Sequence, residues 1–139
     1  MTGSRLEEYA AYYLERLDDD ESAWFALIEA PVAIVPLLAA AFRGEKDPWR
    51  RAQILSAIHQ YRSPEILSIL EEALDDRAPL VWEEATDGLV SVGSEEALFL
   101  VEHASLPPVD DEGTRAEYRA YLEEAMDQIV QALAARDEA

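Results

Sequence analysis

Cysteine is absent from the 139 residues, which removes disulfides, thiolate metal sites and a thiol nucleophile together and fits a reducing compartment. Long apolar runs are missing too. The longest, Ala30 to Phe42, is about a dozen residues and contains Pro31 and Pro36; a membrane-spanning helix needs roughly 20 residues. It reads as a buried helix. The start, Met1 to Arg5, passes directly into an acidic helix with Glu7 and Glu8, without the charge-then-apolar design of a signal peptide. A cytoplasmic location with no membrane association is expected.

Positive charge is scarce: thirty acidic side chains face eleven basic ones, for a net charge of -19. Such a balance disfavours nucleic acid and anionic membranes and makes a basic protein the electrostatic complement. Acidity that only keeps the chain soluble is the alternative. The charge is uneven, with eight acids and two bases up to Phe42, two acids and five bases from Arg43 to Arg62, and twenty acids and four bases from Ser63 onward.

Chemistry-bearing patterns are also few. The two histidines, His59 and His103, fall on different helices of different repeats and make no pair. There is no His-Glu-x-x-His, no Glu-x-x-His and no glycine-rich phosphate loop, against zinc, di-iron and nucleotide sites. Neighbouring acids such as Glu71-Glu72 and Glu83-Glu84 point about 100° apart on a helix, as solvated faces do. Asp18 to Glu21 and Asp110 to Glu112 lack the alternating ligands and glycine of a calcium loop, so they read as plain loops. No catalytic residue, cofactor or metal is expected.

What is present is dense helix punctuation. Asp47-Pro48 and Ser63-Pro64 place a capping acceptor before a proline, and Ser94-Glu95-Glu96 makes a third start. Gly44 and Gly93 read as stops, where glycine takes the left-handed conformation. Between these marks the apolar spacing is helical, as in Val81, Ala85, Leu89 and Val92. A shift of 31 residues aligns Pro48 with Pro79, Ala57 with Gly88, Ile58 with Leu89, Ser63 with Ser94 and Leu70 with Val101. The opposite shift gives a degenerate first copy. A shift of 40 matches Trp82 to Val90 with Leu122 to Val130, so about nine residues are inserted between.

One all-α domain follows: a cap helix at 1-21, a degenerate unit at 22-46, units at 47-77 and 78-106, an insertion loop at 107-113 and a C-terminal cap helix at 114-139. The expected architecture is a short right-handed α-solenoid of antiparallel helix pairs. The small residues Ala57 and Gly88 would let paired helices approach closely.

Ala78 to Ala97, with its small residue before leucine, its glycine turn and its alanine early in the second helix, resembles a HEAT-like repeat of the phycobilisome-lyase family. The likeness covers about Ser22 to Ser105. It implies an α-solenoid and says almost nothing of function; because nothing resembles a chromophore site, a non-enzymatic member is expected, with a bilin-lyase-like activity as the alternative. The family pairs an arginine in the first helix with an aspartate at the turn. Here Arg51 matches, but its counterpart is Trp82, and the turns carry Ser63 and Ser94.

In stacked hairpins the second helices line the concave face. Spacing places Glu65, Ser68, Glu71, Glu72 and Asp75 outward on one of them, and Glu95, Glu96, Phe99, Glu102 and His103 on the next. Trp82 reads as outward on the neighbouring helix, with packing against the insertion loop or a cap helix as the alternative. The candidate partner-binding set is Glu65, Ser68, Glu72, Trp82, Glu96, Phe99 and His103. The expectation is a protein-binding module whose acidic face receives a basic protein, sharpened to a bacterial immunity or inhibitor protein. A scaffold subunit oligomerising through Ala33, Ile34, Leu37 and Ala40 is the alternative, and the oligomeric state stays open.

Overall fold

In the computed structural model, residues 3–105 and 110–138 are described. They are all-helical, with no strand among the described residues. The helices are α1 (Gly3–Glu15), α2 (Glu21–Glu29), α3 (Val35–Gly44), α4 (Pro48–Ile58), α5 (Glu65–Ala73), α6 (Pro79–Val92), α7 (Glu95–Glu102) and α8 (Glu112–Glu138). A 3₁₀ turn, Val32–Ile34, leads into α3. Among the described residues no single helix is long and apolar enough to cross a membrane, and the apolar pair α2 and Val32–Gly44 is bent by 113°.

The starts follow from local chemistry. Asp47 accepts a hydrogen bond from the Arg50 amide at 3.0 Å, with Pro48 in the first turn. Ser94 accepts from the Ala97 amide at 3.1 Å. Each satisfies one of the four amides that a helix leaves unpaired at its start. Asp20 does the same for α2 through Ser22, and Asp111 for α8 through Thr114. Because of that last cap, α8 begins at Glu112, inside the stretch expected to be loop; of the rest of that loop, Asp110 and Asp111 are non-helical and 107–109 lie outside the described residues.

The two expected glycine stops differ. Gly93 has φ 59, the left-handed conformation, and its amide bonds to the Leu89 carbonyl. Gly44 does not adopt it: it is the last residue of α3, and the chain leaves through an extended Glu45. Arg51 supplies the physical reason, since its guanidinium donates to the Phe42 and Glu45 carbonyls at 2.7 and 3.0 Å. A side chain from α4 thereby satisfies the Phe42 carbonyl, which a left-handed turn would otherwise bond, and the Glu45 carbonyl just beyond the helix.

The chain packs as two compact units, Met1–Ile66 and Leu67–Ala139, whose boundary falls inside α5. In the first, Leu6, Leu17, Leu27, Ile34, Leu38, Phe42, Ile54 and Ile58 are buried. A proline creates a polar problem there. In a continuing helix the Leu27 carbonyl would bond to the amide of residue 31, but Pro31 has none. The Tyr61 hydroxyl donates to that carbonyl and lies 3.0 Å from the Ala30 carbonyl, while the Tyr9 hydroxyl donates to the Ala26 carbonyl at 2.7 Å. Burial raises the pKa of both phenols, each helped by the charge of neighbouring groups.

Arg50, at the start of α4, reaches the Leu14 carbonyl at 2.6 Å, Asp18 at 2.8 Å and the Glu45 carboxylate. Burial works against its charge, but the hydrogen bonds it donates to the Glu45 and Asp18 carboxylates, with their negative charge, outweigh that and raise its pKa.

In the second unit α8 packs on α6 and α7. Trp82, Leu89, Val101, Tyr118, Leu122 and Ile129 are buried. The Tyr118 hydroxyl donates to the Leu74 carbonyl at 2.9 Å. Gly88 is buried within α6 and Ala57 within α4.

Candidate functional site

The exposed side of α7 ends in a pair of rings. Phe99 is 57% exposed, and His103, four residues on, stacks on it at 4.1 Å with 27° between the planes. The imidazole Nδ1 lies 2.9 Å from the Phe99 carbonyl and the His103 amide bonds to the same oxygen. The helix terminus therefore holds the imidazole down on the ring, at the spacing where helical side chains meet. Beside this stack runs a groove of about 190 Å³, edged by Glu71, Leu74 and Asp75 from the α5 end and by Phe99, Leu100 and His103 from α7.

Two carboxylates across from an exposed aromatic can accept hydrogen bonds from a lysine or arginine and offer it a ring face. Among the described residues no three histidine or acidic side chains are grouped to hold a metal ion.

The residues singled out by spacing have different places. Glu65, Ser68 and Glu72 on α5 and Glu96 on α7 are exposed but lie outside the groove. Trp82 is the correction, since it is fully buried. Its ring meets Tyr118 at 4.5 Å and Tyr121 at 5.6 Å, both edge-on. The cause is α8, whose aromatics cover the α6 face that Trp82 occupies; burying so large an apolar ring outweighs leaving it in water. His59 ends α4 and His103 ends α7. Of the four apolar residues considered as an oligomer surface, Ile34 is buried, Leu37 half-buried, and Ala33 and Ala40 exposed.

Two features escaped the sequence reading. Burial raises the Glu83 carboxyl pKa, with Asp87, Glu117 and Glu84 adding like charge; Glu83 is in turn the largest influence raising the Tyr121 phenol. These acids come from α6 and α8, far apart in sequence. The other is an aromatic cleft in the first unit, bordered by Trp24, Phe25 and Trp49. Its signal was the acidic run Asp18 to Glu21 followed, after Ser22 and Ala23, by the aromatic pair Trp24 and Phe25. In comparisons with protein-family models, curated proteins and solved structures, nothing matches.

Proposed function

We propose that this chain is a protein-binding module of the HEAT-like α-solenoid class, taking a basic protein partner on the acidic side of α5 and α7. The sequence repeat supports the class: Pro48 and Pro79, 31 residues apart, each open a helix, and Ser63 and Ser94, also 31 apart, each stand before the helix that follows in the chain. Ser68, Glu72 and Glu96, all of the second unit, supply the acidic and polar surround. Trp82 is withdrawn from the binding set because it is buried.

The observation that carries the reading is the exposed Phe99 ring, held by His103 beside a groove edged with Glu71 and Asp75. An aromatic anchor within an acidic surround is the pattern of a binding hot spot, with the charges speeding encounter. Within this class, an immunity or inhibitor protein neutralising a cationic toxin fits a small acidic chain, and no enzymatic role is assigned.

The test titrates a short polylysine peptide against the wild type, Phe99→Ala and the double variant Glu72→Lys with Glu96→Lys at several salt concentrations. Each variant is expected to weaken binding by about tenfold, and the double variant to flatten the salt dependence. Unaltered affinity at low salt in both would remove this face from consideration.

A further inference from the structure

The first unit has its own opening, separate from the α5 and α7 residues. A cleft of about 560 Å³ lies beside the starts of α2 and α4, within the size range of small-molecule and side-chain pockets. Its rings come from both helices: Phe25 is 54% and Trp49 42% exposed, while Trp24 is half-buried and meets Phe25 edge-on at 5.1 Å. Two large rings left in water beside one cleft are unusual on a surface that packing alone has shaped.

The rim is acidic, and its carboxylates differ in occupation. Asp18 is paired with Arg50 at 2.8 Å, and Asp20 caps α2 through the Ser22 amide and hydroxyl. Asp19 and Glu21 make no side-chain hydrogen bond or ion pair among the described residues. The two helix starts bring about half a positive charge each. With Arg50 included, these offset about two of the four carboxylates from Asp18 to Glu21, so the cleft keeps a net negative charge and its two uncommitted carboxylates lie on the rim.

This combination selects among cations. A metal ion wants several converging oxygens, and no such group exists among the described residues. An ammonium is compact and strongly hydrated. A guanidinium is flat, weakly hydrated, stacks on aromatic faces and forks to carboxylates. The chain holds its own guanidinium groups this way: Arg16 lies 3.5 Å over the Tyr12 ring and Arg51 4.2 Å over Phe42.

We propose that the cleft is a docking site for an arginine side chain of a basic polypeptide, with the guanidinium against the Trp49 and Phe25 rings and hydrogen-bonded to Asp19 and Glu21. The site stands independently of the α5 and α7 face and binds whether or not that face does.

Hexa-arginine and hexa-lysine peptides, titrated into the full chain while the three indole N–H signals are followed by NMR, test it. Hexa-arginine is expected to shift the Trp24 and Trp49 signals and leave Trp82 in place. Trp49→Ala and the double variant Asp19→Asn with Glu21→Gln, all at exposed positions, should each weaken this response by about tenfold, and hexa-lysine should bind at least about fivefold more weakly. Glu72→Lys with Glu96→Lys should leave the indole shifts intact. Unmoved Trp24 and Trp49 signals, equal binding of both peptides, or sensitivity to the acids without sensitivity to Trp49→Ala would each overturn the proposal. Indoles that stay still while His103 responds would overturn this site and leave the α7 face standing.

Discussion

Trp82 and Phe99 are both aromatic residues to which helical spacing assigns an outward position, yet in the second unit they have opposite fates. Trp82 is fully buried against Tyr118 and Tyr121, whereas Phe99 is 57% exposed with His103 stacked on it. Stability and binding should therefore separate between them. Trp82→Ala is expected to destabilise the fold by about 3–5 kcal/mol through the lost burial and the cavity left behind. Phe99→Ala should stay within about 0.5 kcal/mol, as substitutions away from buried contacts usually do. Chemical denaturation of the two variants against the wild type decides it, and comparable losses would mean that Phe99 is a packing residue. Arg51 shows the same principle in the first unit. Its counterpart one repeat later is Trp82, and each side chain serves its own surroundings: Arg51 holds the carbonyls ending α3, and Trp82 fills the space against α8.

At the scale of helices, the two glycine stops predict opposite signs. A Cβ on Gly93 would lie 3.3 Å from the Val90 carbonyl, and φ 59 is a conformation that side-chain-bearing residues rarely adopt. Gly93→Ala should cost about 1–2 kcal/mol. A Cβ on Gly44 would meet nothing within 4 Å, and the residue is helical, so Gly44→Ala should stabilise by about 0.4–1 kcal/mol. Thermal unfolding of both variants checks the pair, and matching signs would contradict the assigned conformations. The caps were legible in the sequence because they are local: Asp47 and Ser94 each serve an amide three residues away. So was the exposure of Glu65, Ser68, Glu72, Glu96, Phe99 and His103, which helical period alone sets. The burial of Trp82 was not legible beyond the alternative of packing against a cap helix, because it depends on Tyr118 and Tyr121, more than thirty residues later in the chain. Neither was the ending of α3, which rests on a side chain from α4, nor the aromatic cleft, which needs α2 and α4 side by side.

Across the whole molecule the net charge of -19 sets how stability responds to pH. The raised pKa of Glu83 means that the folded chain binds its proton more tightly than the unfolded chain, so that contribution grows as pH falls towards its raised value. Asp20 and Asp111 are lowered by hydrogen bonds from Ser22 and Thr114; their contribution is present above the ordinary value of 3.8 and is lost as pH falls below it. The thermal midpoint should therefore rise as pH falls from 7 towards the ordinary glutamate value of 4.5, and fall again below the ordinary aspartate value of 3.8. At the alkaline end burial, with help from Asp75, pushes Tyr118 up to about 12. Its contribution, on the order of 2–3 kcal/mol, is present below pH 10 and lost between 10 and about 12. Calorimetry across this range checks the profile, and a midpoint that falls steadily as pH drops from 7 to 4.5 would contradict it. The central claim, that the ringed and acidic end of α7 receives a basic protein, is met most directly by the imidazole signals of the wild-type chain during titration with polylysine at physiological salt. The account predicts a saturable shift of His103 that is lost in Phe99→Ala, while His59 is unaffected. A His103 signal that stays in place while the peptide binds would contradict it.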